Sequence, residues 1–232
     1  MKTLALLGGM TYSSTSLYYN AINRHVQARL GTRRSAPLFL YSVDQEVQLT
    51  RAMAGEWNEF SEPFCKAAQT FKDGGADAIV ICASLAHKAA DAVEKIGLPV
   101  LHVADFVAKA VQDQGFTRVG IFGSRIVMED ECVKGRLEKK HGLEVLVPGP
   151  EERPIINDLV VKELTTGKVS EKTRLYFIKT ANDLIDRGAQ AIVLGSTDLG
   201  FVVTEADVTV PLFETAAIHS KGVAEWAMQD EM

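Results

Sequence analysis

One stretch of this chain occurs twice. GADAIVICASLAH begins at Gly75, and GAQAIVLGSTDLG begins at Gly188. In both copies a glycine precedes a short apolar run, and small polar residues follow it, which is typical of a buried strand in a parallel sheet. Because the copies lie about 110 residues apart, the repeat predicts two similar domains rather than a solenoid of short units.

Four short apolar runs in each half alternate with longer amphipathic stretches, the pattern of βα units around a parallel sheet. We predict strands at residues 3–7, 37–41, 77–82 and 99–102, and again at 118–122, 143–147, 190–195 and 209–213. The chain is therefore predicted to be an α/β protein with two similar domains, each a parallel-type sheet flanked by helices, related by a pseudo-twofold axis with the ligand site between them.

The domain boundaries follow from the same repeat. A last helix near residues 214–229 is expected to pack back on the first domain. This places residues 1–105 and 212–232 in an N-terminal domain and residues 106–211 in a second domain.

The composition restricts the class of partner. The 232 residues carry a net charge of -5, and the basic residues are scattered, which argues against nucleic-acid binding. The apolar run Leu4 to Leu7 stops at Gly8-Gly9, too short for a signal peptide or a membrane span, and is interpreted as a buried strand. Three cysteines without paired spacing give no disulfide framework. We expect a cytoplasmic protein with no nucleic-acid or membrane partner.

Ligands of parallel α/β sheets bind at the carboxyl ends of the strands, which selects three turns. In the first, LLGGMTYSST, the glycines allow close backbone approach, and Thr11, Ser13 or Ser14 can cap a helix whose free N–H groups favour a carboxylate or phosphate. A tight turn without a ligand explains these residues equally well. The other two turns are the ends of the repeated runs. Candidate contacts to substrate at the three turns are Gly9, Met10, Thr11, Ser84, Thr197 and Asp198.

Four motifs together carry a family resemblance. LGGMTYSST, VICASLAHKAAD, LGSTDLG and FETAAIH resemble, along essentially the whole chain, the PLP-independent aspartate/glutamate racemases, whose motifs have the forms GGM, C-N-T-x-H and G-C-T-E. The resemblance implies a homodimer that needs neither PLP nor a metal. It also implies two cysteines, one per domain, that flank the α-carbon of a small amino acid: one thiolate removes the proton and the other thiol returns one.

This sequence departs from the family pattern at both cysteine positions. The second motif has Ser196 in place of cysteine and Asp198 in place of glutamate. A serine hydroxyl is hardly ionised without an adjacent base, so Ser196 is expected to be a poor general base. In the first motif the matching position is Ala83, and Cys82 lies one residue earlier. Cys82 is either the displaced catalyst or a buried small apolar residue.

Three further residues have two interpretations each. His87, in the first motif, either caps the following helix or lines the pocket, where it orients a neighbouring group in preference to transferring a proton. Arg51 suits the distal carboxylate of a substrate, because a guanidinium binds carboxylates through two hydrogen bonds, and Lys162 is a similar cation. The arginine motif of the family is not reproduced around Arg51, so solvated surface is the preferred interpretation there, and Lys162 is open in the same way.

Three function classes follow from these departures. The first is a racemase or epimerase of aspartate, glutamate or a related small carboxylate, in which Ser196 is either a substitution made to trap a ligand or part of an atypical acid/base pair. The second is a decarboxylase or cis-trans isomerase of a small dicarboxylate on the same fold. The third is a ligand-binding homologue without catalysis.

Overall fold

The computed structural model describes residues 1–231, in which the chain forms eight strands and ten α-helices. The strands are β1 Leu4–Gly8, β2 Leu38–Ser42, β3 Ala78–Ile81, β4 Val100–Leu101, β5 Arg118–Phe122, β6 Glu144–Leu146, β7 Ala191–Leu194 and β8 Leu212–Glu214. The helices are α1 Tyr12–Leu30, α2 Gln45–Ala54, α3 Trp57–Asp73, α4 Ala90–Glu94, α5 Val103–Asp113, α6 Arg125–Glu129, α7 Arg136–Lys139, α8 Glu152–Lys162, α9 Glu171–Asp186 and α10 Thr215–Ala227.

The strands form two parallel four-stranded sheets with the same internal order. The first sheet runs β2-β1-β3-β4 and the second β6-β5-β7-β8. In the first, Leu4 pairs with Ala78, and in the second Val119 pairs with Ala191, so the repeated runs occupy corresponding strands. The predicted α/β fold of two similar sheets flanked by helices is confirmed.

Seven of the predicted strands lie within a residue or two of those in the structure, and β8 differs more. We predicted it over residues 209–213, whereas it spans Leu212–Glu214. Residues Glu205–Asp207 form a 3₁₀ turn before it, and Pro211 has no N–H to give to a ladder. The carbonyl of Pro211 does accept from the N–H of Ile192 (3.0 Å), so the ladder begins at the proline.

The chain divides into two compact units. The first contains Met1–His102 and the residues from His219 onward, and the second contains Val103–Ile218. Each unit has its own apolar core. In the first, Ala5, Leu7, Ile79 and Ile81 pack with aromatic residues of α3; in the second, residues of β5 and β7 pack with Phe177 of α9.

Helix α1 covers the other face of the first sheet. Its residues Tyr18, Ile22 and Val26 are buried at a spacing of four, which is one stripe of an α-helix. The opposite side of the helix is polar. Strand β2, at the edge of this sheet, is much less buried than β1, all five residues of which are buried.

Within residues 1–231, no helix combines the length and the apolar composition that crossing a membrane would require.

Candidate functional site

The turn after β1 is fixed by a chain of hydrogen bonds. The N–H of Gly9 donates to the hydroxyl of Thr15 (2.8 Å), which donates in turn to the carbonyl of Thr11 (3.0 Å). The hydroxyl of Thr11 accepts from the N–H of Ser14 (3.1 Å) and caps α1. Met10 and Thr11 are both buried, at 6% and 5% exposure. The side chain of Thr11 thus holds the start of the helix, and its contact with substrate stays a prediction.

Gly9 is needed where the chain leaves β1. Its φ is +100°, and a Cβ placed there would lie 2.3 Å from the backbone nitrogen and oxygen of Val43. Val43 is held in place because its N–H donates to the carbonyl of Gly8 (3.0 Å). The two backbones therefore pass so closely that no side chain fits between them.

Cys82 follows β3 as a buried thiol. The residue is 1% exposed, its N–H donates to the carbonyl of Leu7 (2.9 Å), and its carbonyl accepts from the hydroxyl of Ser14 (2.8 Å). Burial raises the pKa of the Cys82 thiol far above its ordinary value, because the charged thiolate would lose its hydration. This arrangement favours the interpretation of Cys82 as a small buried residue over that of a catalyst.

We expect the three thiols to differ in reactivity. Cys65 and Cys132 are partly exposed and Cys82 is buried. Because iodoacetamide can reach a buried thiol only when the structure opens locally, it should alkylate Cys82 at least about a hundredfold more slowly than the other two cysteines. Mass spectrometry of peptides from native and urea-unfolded protein measures the three rates. Native alkylation of Cys82 at the rate of Cys65 would return Cys82 to the list of catalytic candidates.

His87 stabilises, through hydrogen bonds, the turn that contains Ala83 and Ser84. The residue is 1% exposed, and its Nδ1 donates to the carbonyl of Ala83 (3.0 Å), since a carbonyl oxygen can only accept. Ser84 is buried at 7% exposure, and its carbonyl accepts from the N–H of His87 (3.2 Å). These contacts suit a supporting role for His87.

The sequence did not reveal that His87 belongs to a cluster of three buried histidines. Its ring centre lies 4.4 Å from that of His102 and 5.8 Å from that of His219. The Nε2 of His219 donates to the carbonyl of Leu101 (2.6 Å), so in the neutral ring Nδ1 accepts from the hydroxyl of Tyr18 (3.0 Å). Through the two hydrogen bonds of His219, α10 contacts both α1 and the end of β4.

At the end of β7, three polar side chains follow one another. Ser196 is extended (φ −137°, ψ 141°) and precedes the 3₁₀ turn Thr197–Phe201, and its carbonyl accepts from the N–H of Leu199 (3.2 Å). Ser196, Thr197 and Asp198 are all partly exposed. Burial raises the pKa of the Asp198 carboxyl, which makes it easier to protonate than an ordinary aspartate. A hydroxyl and a titratable carboxyl are thus two positions apart at this strand end.

Ser124, at the end of β5, is a candidate that the sequence analysis missed. It is 5% exposed, and within residues 1–231 its hydroxyl has no hydrogen-bond partner. It follows Gly123, where a Cβ would lie 2.9 Å from the carbonyl oxygen of Gly195, so the ends of β5 and β7 are in close contact. A buried hydroxyl without a partner is uncommon and suggests a function. The repeat could have indicated Ser124 as a candidate, because Ser124 follows β5 much as Thr11 follows β1.

Arg51 and Lys162 are the two cations that the sequence analysis considered for the substrate carboxylate. Arg51 lines an open groove of about 540 Å³ together with Tyr41, Glu62 and Lys66, and Gly9, Met10, Thr11 and Ser84 are not among its lining residues. The Lys162 side chain is 70% exposed and pairs with Asp158 on the same helix (2.5 Å). The exposed ion pair of Lys162 suits solvated surface, and contact of either cation with substrate stays a prediction.

A metal site does not emerge from the part of the chain that the structure describes, residues 1–231: nowhere in it are three or more His, Cys, Asp or Glu side chains grouped so that they could hold an ion. The expectation of a cofactor-free protein stays a prediction.

Comparison with known proteins identifies the family. The family model described as Asp/Glu/Hydantoin racemase matches residues 7–222. A candidate Asp/Glu racemase from Yersinia pestis is 39% identical, with a TM-score of 0.91 over 99% of this chain and 100% of that one. An aspartate racemase homologue from Pyrococcus horikoshii is 26% identical, with a TM-score of 0.80 over 98% and 99%. Arylmalonate decarboxylase, at 13% identity, shares the fold alone, with a TM-score of 0.54 over 97% and 92%. The resemblance of the four motifs is confirmed: the chain belongs to the Asp/Glu/Hydantoin racemase family.

Proposed function

We propose that this protein is a cofactor-independent racemase or epimerase of aspartate, glutamate or a related small carboxylate, with an atypical acid/base site. The observation that carries the proposal is the combination of family membership with polar side chains at the carboxyl ends of β5 and β7. Ser124, Ser196 and Thr197 supply hydroxyl groups there, and hydroxyl groups are suitable donors to a carboxylate.

The reaction itself sets the requirement for the acid/base groups. A base must take the proton from the α-carbon on one face, the electron pair moves toward the carboxylate, and an acid must return a proton on the opposite face. A positioned acid or base contributes about 10²–10⁴-fold. With Ala83 and Ser196 at the two positions, this chain has a methyl group and a weakly acidic hydroxyl where two thiols are expected.

Asp198 is our candidate for the proton acceptor that remains. Its carboxyl lies two residues after Ser196 at the end of β7, and burial raises its pKa toward the range in which a base can exchange protons. In this proposal Asp198 takes the α-proton slowly in place of Ser196, and Ser124 and Thr197 hold the substrate carboxylate. We therefore expect the protein to bind its substrate tightly and to exchange the α-proton of the substrate slowly.

Deuterium wash-in tests the proposal. The protein, dialysed against chelator and without pyridoxal, should bind aspartate or glutamate in calorimetry and should introduce deuterium at the α-carbon in D₂O, as measured by mass spectrometry. The Asp198→Asn variant should retain the binding and lower the exchange about tenfold or more. Asp113→Asn, which changes an exposed ion pair with Lys109, is the matched control and should leave both unchanged. Absence of both binding and exchange would refute the proposed function.

A decarboxylase of a small dicarboxylate is the second candidate, because Ala83 offers no acid or base on its side of the site. In decarboxylation the bond between the α-carbon and one carboxylate breaks, carbon dioxide leaves, and the carbanion that remains takes one proton from a single face. One acid is therefore enough. Release of carbon dioxide from a 2-substituted malonate, without deuterium wash-in into aspartate or glutamate, would select this function.

A further inference from the structure

Helix α3 borders an open groove of about 540 Å³, which we call the α3 groove. It is lined by Tyr41 of β2, Arg51 of α2 and six residues of α3 between Glu62 and Phe71, all of which belong to the first compact unit. None of these lining residues lies in the three turns of the candidate site. Because small-molecule sites commonly have volumes of about 300–1,000 Å³, the groove is large enough for a ligand with one ring.

Part of the groove surface is apolar. Pro63, Ala67 and Phe71 follow one another at a spacing of four along α3, which places them in one row on the helix. Tyr41 lies on the face of the sheet that α3 covers, because side chains alternate along a strand and Phe39, two positions earlier, stacks on Phe71 with 5.4 Å between ring centres. Ala67 and Phe71 are each 7% exposed, whereas Tyr41 is 39% exposed. The groove therefore combines a well-packed apolar row with one accessible aromatic ring.

A buried glutamine holds Arg51 at the groove. Gln48 is 1% exposed, its Nε2 donates to the carbonyl of Phe60 on α3 (3.2 Å), and its Oε1 accepts from Nη1 of Arg51 (3.3 Å). Arg51 itself is half-buried. Within residues 1–231 its guanidinium has no ion pair and no other hydrogen bond to protein, so the remaining N–H groups can bond a ligand. The groove thus contains a positioned cation without a carboxylate partner.

The charges around the groove favour a ligand with one negative charge. Lys66 and Glu62 form an ion pair one turn apart on α3 (2.6 Å), so these two side chains neutralise each other. The hydrogen bond and the charge of Lys66 lower the pKa of the Glu62 carboxyl, and the charge of Arg51 lowers it to a smaller extent. Glu62 is therefore ionised at neutral pH. Arg51 supplies the net positive charge of the groove, while Glu62 repels a second negative charge on a ligand.

We propose that the α3 groove binds a small aromatic monocarboxylate. The carboxylate of the ligand accepts two parallel hydrogen bonds from the guanidinium of Arg51, the geometry in which arginine binds this group best. The ring of the ligand lies against Tyr41 and the apolar row of α3, where it buries apolar surface and stacks on the tyrosine. A dicarboxylate or a phosphate would place a further negative charge beside Glu62. The ligand of the groove therefore differs in class from the acidic amino acids proposed for the catalytic site.

Titration with benzoate, followed by the NMR signal of the Ala67 methyl group, tests the proposal. Benzoate should bind the parent protein with a Kd of about 1 mM or lower, and benzamide, which has the same ring without the charge, should bind at least about tenfold more weakly. Arg51→Gln removes the cation and should weaken benzoate binding at least about tenfold. The matched control is Arg29→Gln, which removes an exposed arginine of α1 and should leave the binding unchanged. Thermal unfolding shows that both variants are folded.

A competition experiment separates the groove from the catalytic site. An excess of aspartate should leave benzoate binding unchanged, whereas displacement of benzoate by aspartate would place benzoate at the candidate active site and overturn the proposal. If aspartate does not bind at all, the catalytic proposal fails, and the comparison of Arg51→Gln with Arg29→Gln still tests the groove. No shift of the Ala67 signal at millimolar benzoate, equal binding of benzoate and benzamide, or equal binding of benzoate to Arg51→Gln and the parent protein would also overturn the proposal.

Discussion

Replacing Ser196 with cysteine should raise deuterium exchange at the α-carbon of aspartate or glutamate by at least about tenfold, and about a hundredfold is typical of a positioned acid or base. The change exchanges one oxygen for sulfur at the end of β7, where the residue is extended and partly exposed. A thiol there ionises near neutral pH far more readily than a hydroxyl. Since Ser196 follows a buried strand, the rest of the site should keep its structure.

Two variants show whether position or merely the presence of a thiol causes the gain. Thr209→Cys adds an exposed thiol before the amino end of β8, whereas Ser196 follows the carboxyl end of the parallel strand β7, and this variant should leave exchange unchanged. Ser196→Ala should not raise exchange either. If Ser196→Cys accelerates exchange of one enantiomer only, the side of Ala83 lacks a working acid/base group. If the parent protein already exchanges rapidly and Ser196→Cys changes nothing, the position assigned to catalysis is wrong.

The strands were predictable because their signal is local. Each apolar run is long enough to be buried and is bounded by turn residues, so seven strands were found nearly at their residues. The start of β8 was not, because Thr209 and Val210 have strand-like side chains but precede Pro211, which limits the ladder.

The candidate site was less predictable because its properties depend on contacts between distant residues. The buried state of Cys82 depends on hydrogen bonds to Leu7 and Ser14. Ser124 is of interest because its hydroxyl has no hydrogen-bond partner among residues 1–231, and no sequence pattern encodes that. Likewise, the clustering of His87, His102 and His219 appears only after α10 has packed against the end of β4. The motifs indicated which strand ends form the candidate site, whereas the role of each side chain there depends on how the chain packs.

Gly9→Ala should be the most destabilising single-methyl change among the positions discussed. Two costs combine: a positive φ, worth about 1 kcal/mol or more for a residue with a side chain, and a Cβ only 2.3 Å from the Val43 backbone. Backbone atoms cannot swing aside as a flexible side chain can. We therefore expect the free energy of unfolding in urea to fall by more than about 3 kcal/mol, the range that marks a specific steric cause.

Gly31 provides the matched comparison, because its φ is +107° and, in the part of the chain that the structure describes, no atom beyond its chain neighbours lies within 4 Å of the position where its Cβ would be. Gly31→Ala therefore carries the cost of the positive φ without the clash and should lower the free energy of unfolding by only about 1–2 kcal/mol. The difference between the two variants measures the close approach of the chain after β1 to Val43. Equal losses would mean that the backbone at Val43 moves easily. A large difference would show that Gly9 is required by the fold itself, whether or not a ligand approaches that turn.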